Sequence, residues 1–219
     1  MSAVAVTDPK DFNVALIMEQ TRAMHRGHFV ISNGVGPHSD SYVEKDRILC
    51  HPKHARNLGM ALANKIYEEG MRDYAVVVGP ACAGIIVSQY TAAFSIGNVF
   101  SAYCEKNAAG IYELRRGFGP EIKGKKVVIV EDVVTTGRTL EQVISVVRQA
   151  GGDVLGVAAI VNRSKITAEL LGVPIFIFLH QLELPLYPGD NCPLCQQGFP
   201  VNTEFGYGAD FLRRGHEED

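Results

Sequence analysis

The chain has 219 residues, of which 47% are hydrophobic, and a formal net charge of −3. That length and apolar content suit one generous domain or a core with a small addition. The slight acidic balance speaks against bulk nucleic-acid binding, which needs a basic excess. No uninterrupted apolar run reaches the roughly 18 residues of a membrane span. Five cysteines, an odd number scattered along the chain, fit a reducing cytoplasm better than a disulfide framework. The opening M-S-A-V-A-V-T-D-P-K has neither the basic region nor the apolar segment of a signal peptide, so the expected location is cytoplasmic, with no membrane and no nucleic acid as partner.

Asp8-Pro9-Lys10-Asp11 has the composition of a helix start: an Asp cap, Pro at the first helical position and an acid in the first turn. The apolar spacing predicts a helix from there to about His25, with Val14, Ile17, Met18 and Met24 inward. His28–Ser32 reads as a short strand, Asn33-Gly34 as a turn, and His38–Glu44 as the return strand of a hairpin. This opening unit is expected to form a small hood apart from the main sheet.

A helix is predicted over Pro52–Glu69, with Leu58, Ala61, Leu62 and Ile66 on one face. A buried strand follows at Tyr74–Val78, then the small-residue turn Gly79–Gly84, a helix over Ile85–Phe94 and a strand over Asn98–Tyr103. Glu105–Gly124 has no clean period and reads as a long exposed loop, a length usually reserved for function or disorder. Val127–Val130 is a buried strand, and the helix behind it turns Val143, Val146, Val147 and Ala150 inward before Gly151-Gly152. A strand over Val154–Val161, a short helix over Ile166–Leu171 and a strand over Pro174–Leu179 complete the alternation. The fold class is therefore α/β, a mostly parallel central sheet flanked by helices. The organisation reads as an N-terminal helix and hood over 1–50, an α/β core over 51–181 and a Pro- and Gly-rich tail over 182–219.

The chemistry gathers around K-K-V-V-I-V-E-D-V-V-T-T-G-R-T-L, residues 125–140. Glu131 and Asp132 stand at the carboxyl end of a strand, where open α/β sheets bind ligands. Alternation points them to different sides, so they are expected to hold separate hydroxyls or flank a hydrated Mg²⁺ rather than share a proton. Beyond Val133 and Val134, the turn Thr135-Thr136-Gly137-Arg138-Thr139 enters a helix, and its amides make a nest for an anion. Neither G-x-x-x-x-G-K-[ST] nor G-x-G-x-x-G is present, which argues against ordinary nucleotide-triphosphatases and dinucleotide folds. Gly79-Pro80-Ala81-Cys82-Ala83-Gly84 also follows a strand and lets a ligand approach the backbone closely. Lys106, Arg115 and Arg116 lie on the predicted loop, suited to closing over a polyanion. Arg163, at the end of another strand, suits a planar acid, and Tyr42 on the hood suits stacking on a ring. Cys192-Pro193-Leu194-Cys195 is a single C-x-x-C; zinc usually needs a second pair or suitably spaced histidines, and His180 and His216 are weak candidates.

V-V-I-V-E-D-V-V-T-T-G-R-T resembles the signature of the type I phosphoribosyltransferases, which use phosphoribosyl pyrophosphate (PRPP). G-H-F-V-I-S-N-G, H-S-D-S-Y-V, V-V-G-P-A-C-A-G-I, L-R-R-G-F and V-N-R at 161–163 are similar to the orotate phosphoribosyltransferase branch, and the likeness runs from residue 27 to about 201. The resemblance implies transfer of phosphoribose from PRPP to orotate, giving orotidine 5′-phosphate and pyrophosphate in pyrimidine nucleotide biosynthesis, with Mg²⁺ as cofactor. By position, Glu131 and Asp132 would hold the ribose hydroxyls and Thr135–Thr139 the 5′-phosphate. Gly79–Ala83 would form the pyrophosphate loop, with Lys106 reaching the pyrophosphate. Arg163, Tyr42 and Thr135 would face orotate. Arg115 and Arg116 would serve the neighbouring subunit's site, implying a homodimer. Three positions depart from the family pattern: Ala83 replaces a lysine, Glu105 precedes Lys106, and the loop carries Arg115-Arg116 in place of lysine–x–histidine. These departures keep two alternatives open, a phosphoribosyltransferase for a purine base such as xanthine and a PRPP-binding regulatory protein without turnover.

Overall fold

Asn13 opens the first helix of the computed structural model, which describes residues 13–32 and 36–215. The predicted cap at Asp8 and Pro9, the Asn33-Gly34 turn and His216 lie outside the described residues. In α1 (Val14–Gln20) the Asn13 side chain accepts the Leu16 amide at 3.2 Å, and Val14, Ile17 and Met18 are buried. The helix stops at Gln20 rather than running to His25. The Thr21 hydroxyl turns back to donate to the Ile17 carbonyl (2.7 Å), and Arg22 adopts a positive φ of 52° that a helix cannot continue through. Met24 then pairs with Val43, so β1 (Met24–Val30) and β2 (His38–Val43) form a separate antiparallel hairpin, the expected hood.

Two helices follow, α2 (Lys45–Leu49) and α3 (Pro52–Glu68), the second opened by Pro at its first turn. The core then alternates β3 (Val76–Pro80), α4 (Ala83–Phe94) and β4 (Phe100–Lys106). The segment predicted as a long loop is folded instead. Asn107 accepts the amides of Ala109 and Ile111 (2.9 and 3.1 Å), which turns the chain into β5 (Tyr112–Glu113), antiparallel to β4. The short helix α5 (Phe118–Ile122) then buries Ile122 completely. Side-chain capping of a hairpin, rather than hydrophobic period, orders this stretch. After it come β6 (Lys126–Val134), α6 (Arg138–Gln149), β7 (Asp153–Asn162), α7 (Ala168–Leu171) and β8 (Phe176–Gln181).

The six strands run in the order β5-β4-β3-β6-β7-β8, and all but β5 are parallel. Alternate residues of β3 and β6 feed opposite faces. Val77, Val128 and Val130 pack with Leu58, Leu62 and Val87 of α3 and α4, whereas Val76, Val127 and Ile129 pack with Val143 and Val147 of α6. Both faces are covered, which is why the strands read as unbroken apolar runs. From β3 the chain proceeds to β4 on one side, and from β6 to β7 on the other. The order therefore reverses between β3 and β6, and the crevice at their carboxyl ends is where such a sheet binds its ligand. No helix among the described residues is long and apolar enough to cross a membrane.

The tail is ordered as well. A 3₁₀ turn (Gly189–Asn191), α8 (Pro193–Gln196) and α9 (Gly208–Gly215) lie against the hood. Tyr187 bridges His38, the Asn202 amide donates to the His28 carbonyl (2.8 Å), and the Tyr207 amide donates to the Val30 carbonyl (2.9 Å). These anchors are backbone bonds to residues 149 to 177 positions away, so no local period announces them.

Candidate active site

A cavity of about 330 Å³ opens at the switch point, between the carboxyl ends of β3 and β6 and beneath the hood. The strand end of β6 forms its floor. Glu131 and Asp132 are 6% and 5% exposed, and both line the same cavity. The expectation that they diverge is corrected: both side chains reach the same cavity, and Glu131 Oε1 accepts the Asp132 amide (3.2 Å). Burial holds the Glu131 carboxyl well above the usual carboxylate range, with the Asp132 charge and hydrogen bond adding to it. Burial raises Asp132 too, against the pull of a cation, Lys45. The Asp132 charge in turn raises the pKa of Lys45, so the ammonium stays charged. Two desolvated carboxylates facing one half-buried ammonium make a site built to receive further donors or positive charge.

The Thr135–Thr139 turn forms the next wall. Gly137 supplies a left-handed φ of 80° where the strand turns into α6 and, as the N-cap, offers no side chain; only the Thr136 hydroxyl accepts a helix-start amide, that of Arg138, at a long 3.5 Å. The first amides of α6 and the positive end of its dipole face the cavity as an anion nest. The Ser164 hydroxyl donates to the Thr135 carbonyl and ties the turn to the end of β7. Pro80, Ala81, Cys82 and Ala83 form the wall across from it. Gly79 does not reach the cavity. A Cβ there would run into the Gly84 carbonyl, so its role is the close passage of strand and helix.

Lys106 stands at the rim with its Nζ 5.3 Å from the centre of the Tyr112 ring. Arg115 and Arg116 do not line the cavity of their own chain. They are exposed and pair with Glu113 (3.3 Å) and Glu105 (2.8 Å) on the β4–β5 hairpin. Glu105, the departure beside Lys106, thus balances Arg116 instead of facing the site.

Arg163 is 2% exposed at the end of β7 and spans to the hood. One of its amino groups donates to Ser39 Oγ (3.0 Å) and more weakly to the Ser41 carbonyl (3.4 Å), whereas its Nε, also buried, has no acceptor. Burial lowers its pKa to about 10, which leaves it charged at neutral pH. A buried, charged donor without an acceptor is costly unless a ligand supplies one. Tyr42 lines the same end of the cavity, its ring packed between Phe29 (5.6 Å) and Phe205 (5.7 Å).

Sequence reading missed Lys45, Tyr112, Gly206 and Tyr207, all on the cavity wall. Lys45 sits among Glu44, Asp46 and Arg47 in what reads as a solvated run, and only the packing of α2 on α3 and α4 brings it to the cavity wall, where it feels the Asp132 charge. The two tail residues come from the segment with no local pattern. Ser32, on the hood, also lines the cavity.

The model of the phosphoribosyl transferase domain matches residues 45–183, and the chain belongs to that family. Its branch is the orotate phosphoribosyltransferases. The chain is 41% identical to the orotate phosphoribosyltransferase of Desulforamulus reducens over 185 residues, covering 84% of this chain and 91% of that relative. The crystal structure of orotate phosphoribosyltransferase from Aeropyrum pernix is similar with a TM-score of 0.60 at 25% identity, covering 78% of this chain and 94% of the other. That of the Mycobacterium tuberculosis orotate phosphoribosyltransferase in complex with PRPP gives 0.51 at 26% identity, covering 64% of this chain and 80% of the other.

Proposed function

We propose that the protein transfers the phosphoribosyl group of PRPP to orotate, giving orotidine 5′-phosphate and pyrophosphate in pyrimidine nucleotide synthesis. The observation that carries the base assignment is Arg163, a buried guanidinium on the cavity wall that keeps its charge and leaves one of its donors without an acceptor, a group suited to a planar acid. The Thr135–Thr139 nest takes the 5′-phosphate, and Glu131 and Asp132 take the ribose hydroxyls. Pro80–Ala83 and Lys106 face the pyrophosphate. In the reaction the bond from C1 of the ribose to pyrophosphate breaks, its electron pair leaving with pyrophosphate, and the orotate ring nitrogen, its proton given up to solvent, forms the new bond. Positive charge grows on the ribose beside the two carboxylates, and negative charge grows on the leaving group beside Lys106. The anchored phosphate and the held diol fix C1 against the base, which supplies the orientation part of the rate.

The donor set fits Mg²⁺. The cavity offers two carboxyl side chains and, among the described residues, no histidine, cysteine or further acid converges with them into a cluster of three, which suits an ion that keeps its waters and takes substrate oxygens. Bound there, Mg²⁺ would offset the charge of the pyrophosphate, with Glu131 and Asp132 holding its water shell. The working unit is a homodimer in which Arg115 and Arg116, facing away from their own cavity, complete the partner's. The five free thiols suit a reducing cytoplasm.

The test follows loss of orotate absorbance with purified protein, PRPP and Mg²⁺, with adenine, guanine, hypoxanthine, xanthine and uracil assayed in parallel by pyrophosphate release. Magnesium-dependent loss of orotate that vanishes in Asp132→Asn is the expected result. Turnover of a purine instead would overturn the role given to Arg163.

A further inference from the structure

Four potential metal ligands outside the active site converge where the tail meets the hood: His28 of β1, His38 of β2, Cys192 and Cys195. Their nearest ligand atoms all lie within 4.8 Å of one another, and three of the four residues are buried. His28 Nε2 is 2.9 Å from His38 Nδ1 and 3.6 Å from each sulfur, and Cys195 Sγ is 3.4 Å from His38 Nδ1. A tetrahedral zinc ion with bonds of about 2.05 Å to nitrogen and 2.3 Å to sulfur sets its ligands about 3.3 Å apart for N–N and about 3.6 Å for N–S. The three N–S distances match those edges, the N–N distance is about 0.4 Å shorter than the tetrahedral edge, and no pair of the four ligand atoms is more than 4.8 Å apart.

The surroundings point the same way. The carbonyl of Phe199 lies 2.8 Å from His28 Nδ1, so that nitrogen is the donor and Nε2 presents its lone pair to the cluster. His38 Nε2 is buried without any hydrogen-bond partner. If Nδ1 carried the proton, that Nε2 would hold an orphaned lone pair in an apolar setting. With Nδ1 bound to a cation, Nε2 carries the proton instead, and the Phe211 ring stands perpendicular to the imidazole with its centre 5.0 Å away. Both cysteines are free thiols, and Cys192 is 1% exposed.

We propose that His28, His38, Cys192 and Cys195 bind one Zn²⁺ in a closed tetrahedral site that clamps the tail onto the hood. Four protein ligands leave no open position, so the ion is structural rather than catalytic. The clamp holds the stretch that stacks Phe205 on Tyr42 and brings Gly206 and Tyr207 into the active-site wall. The motif escapes a sequence scan because its histidines stand ten residues apart across a hairpin and its cysteines more than 150 residues further on.

The test measures zinc in the full-length protein, purified under reducing conditions with excess Mg²⁺, by elemental analysis. About one zinc per chain is expected, lost in Cys195→Ser and in His28→Ala and retained in Asp132→Asn. Cobalt added to the zinc-depleted protein should give the strong visible ligand-field bands and near-ultraviolet thiolate charge-transfer of a tetrahedral thiolate site. Stripping zinc should lower the Tm and restoring it should recover the value. Absence of zinc together with no cobalt spectrum overturns the proposal, as does zinc that survives Cys195→Ser and His28→Ala but disappears in Asp132→Asn. Zinc content, spectrum and Tm do not depend on turnover, so failure here leaves the catalytic reading standing, and an inactive protein can still hold the ion.

Discussion

Arg163 combines full burial, a retained charge and a missing acceptor, a state a protein tolerates where a ligand completes it. Replacing it with leucine should raise the KM for orotate by about 10- to 100-fold, the range of a hydrogen bond to a charged group, while the KM for PRPP changes little. Arg163→Lys should rescue poorly, because an ammonium lacks the planar fork; initial rates with each substrate varied in turn check both. Lys45 acts at the same scale through charge. It draws the Asp132 pKa down against burial and draws that of Glu131 down more weakly. In Lys45→Met both carboxylates should protonate at higher pH. The acid limb of the kcat/KM profile should then move to higher pH than in the native enzyme, and an unmoved limb would separate Lys45 from the pair. Where only the ionised pair can hold the diol, the same shift removes activity first at the acidic end.

At the scale of the element, the strand–turn–helix unit of β6 and α6 does three tasks with one continuous stretch. Its apolar residues feed both faces of the sheet, its carboxylates end the strand in the cavity, and its glycine turns the chain so that the helix start faces the same space. The turn depends on φ of 80° at Gly137, and a Cβ there would also press on Leu171 at 3.2 Å. Gly137→Val should therefore raise the KM for PRPP by about tenfold or more, from a left-handed strain of about 1–2 kcal/mol and a displaced nest. Isothermal titration with PRPP alone would separate this from an effect on orotate. The β4–β5 hairpin is the contrasting element. Its order comes from Asn107 capping and from the Arg116–Glu105 and Arg115–Glu113 pairs, which are exposed and worth little individually. Such a hairpin can exchange its ion pairs for a polyanion at small cost.

For the whole molecule, the placement of Arg115 and Arg116 outside their own cavity makes the assembly testable. Asp132→Asn and the double variant Arg115→Ala/Arg116→Ala should each be nearly inactive alone. Mixed, unfolded and refolded together, they should recover about a quarter of native activity, because half of the dimers are hybrids with one intact site of two. No recovery would mean that the arginines serve their own chain or neither. The tail belongs to this scale as well, since it joins hood and cavity wall across the full length of the chain.

The sequence by itself determined the α/β alternation, the hood and the chemistry of residues 125–140. In these, period, turn glycine and carboxylate pair are all local, and locality is what a sequence displays. Wherever order came from partners distant in the chain, it was not legible. Met24 left its helical stripe to pair with Val43, and Lys45 came under the charge of Asp132 only when α2 packed on α3 and α4. Glu131 and Asp132, neighbours on β6, both reach one cavity, and the Glu131 carboxyl accepts the Asp132 amide. His28 and His38 met Cys192 and Cys195 across a hairpin and a tail, a distance no spacing rule spans. Tertiary structure decided those contacts because each is a long-range approach of groups whose local neighbours say nothing about it.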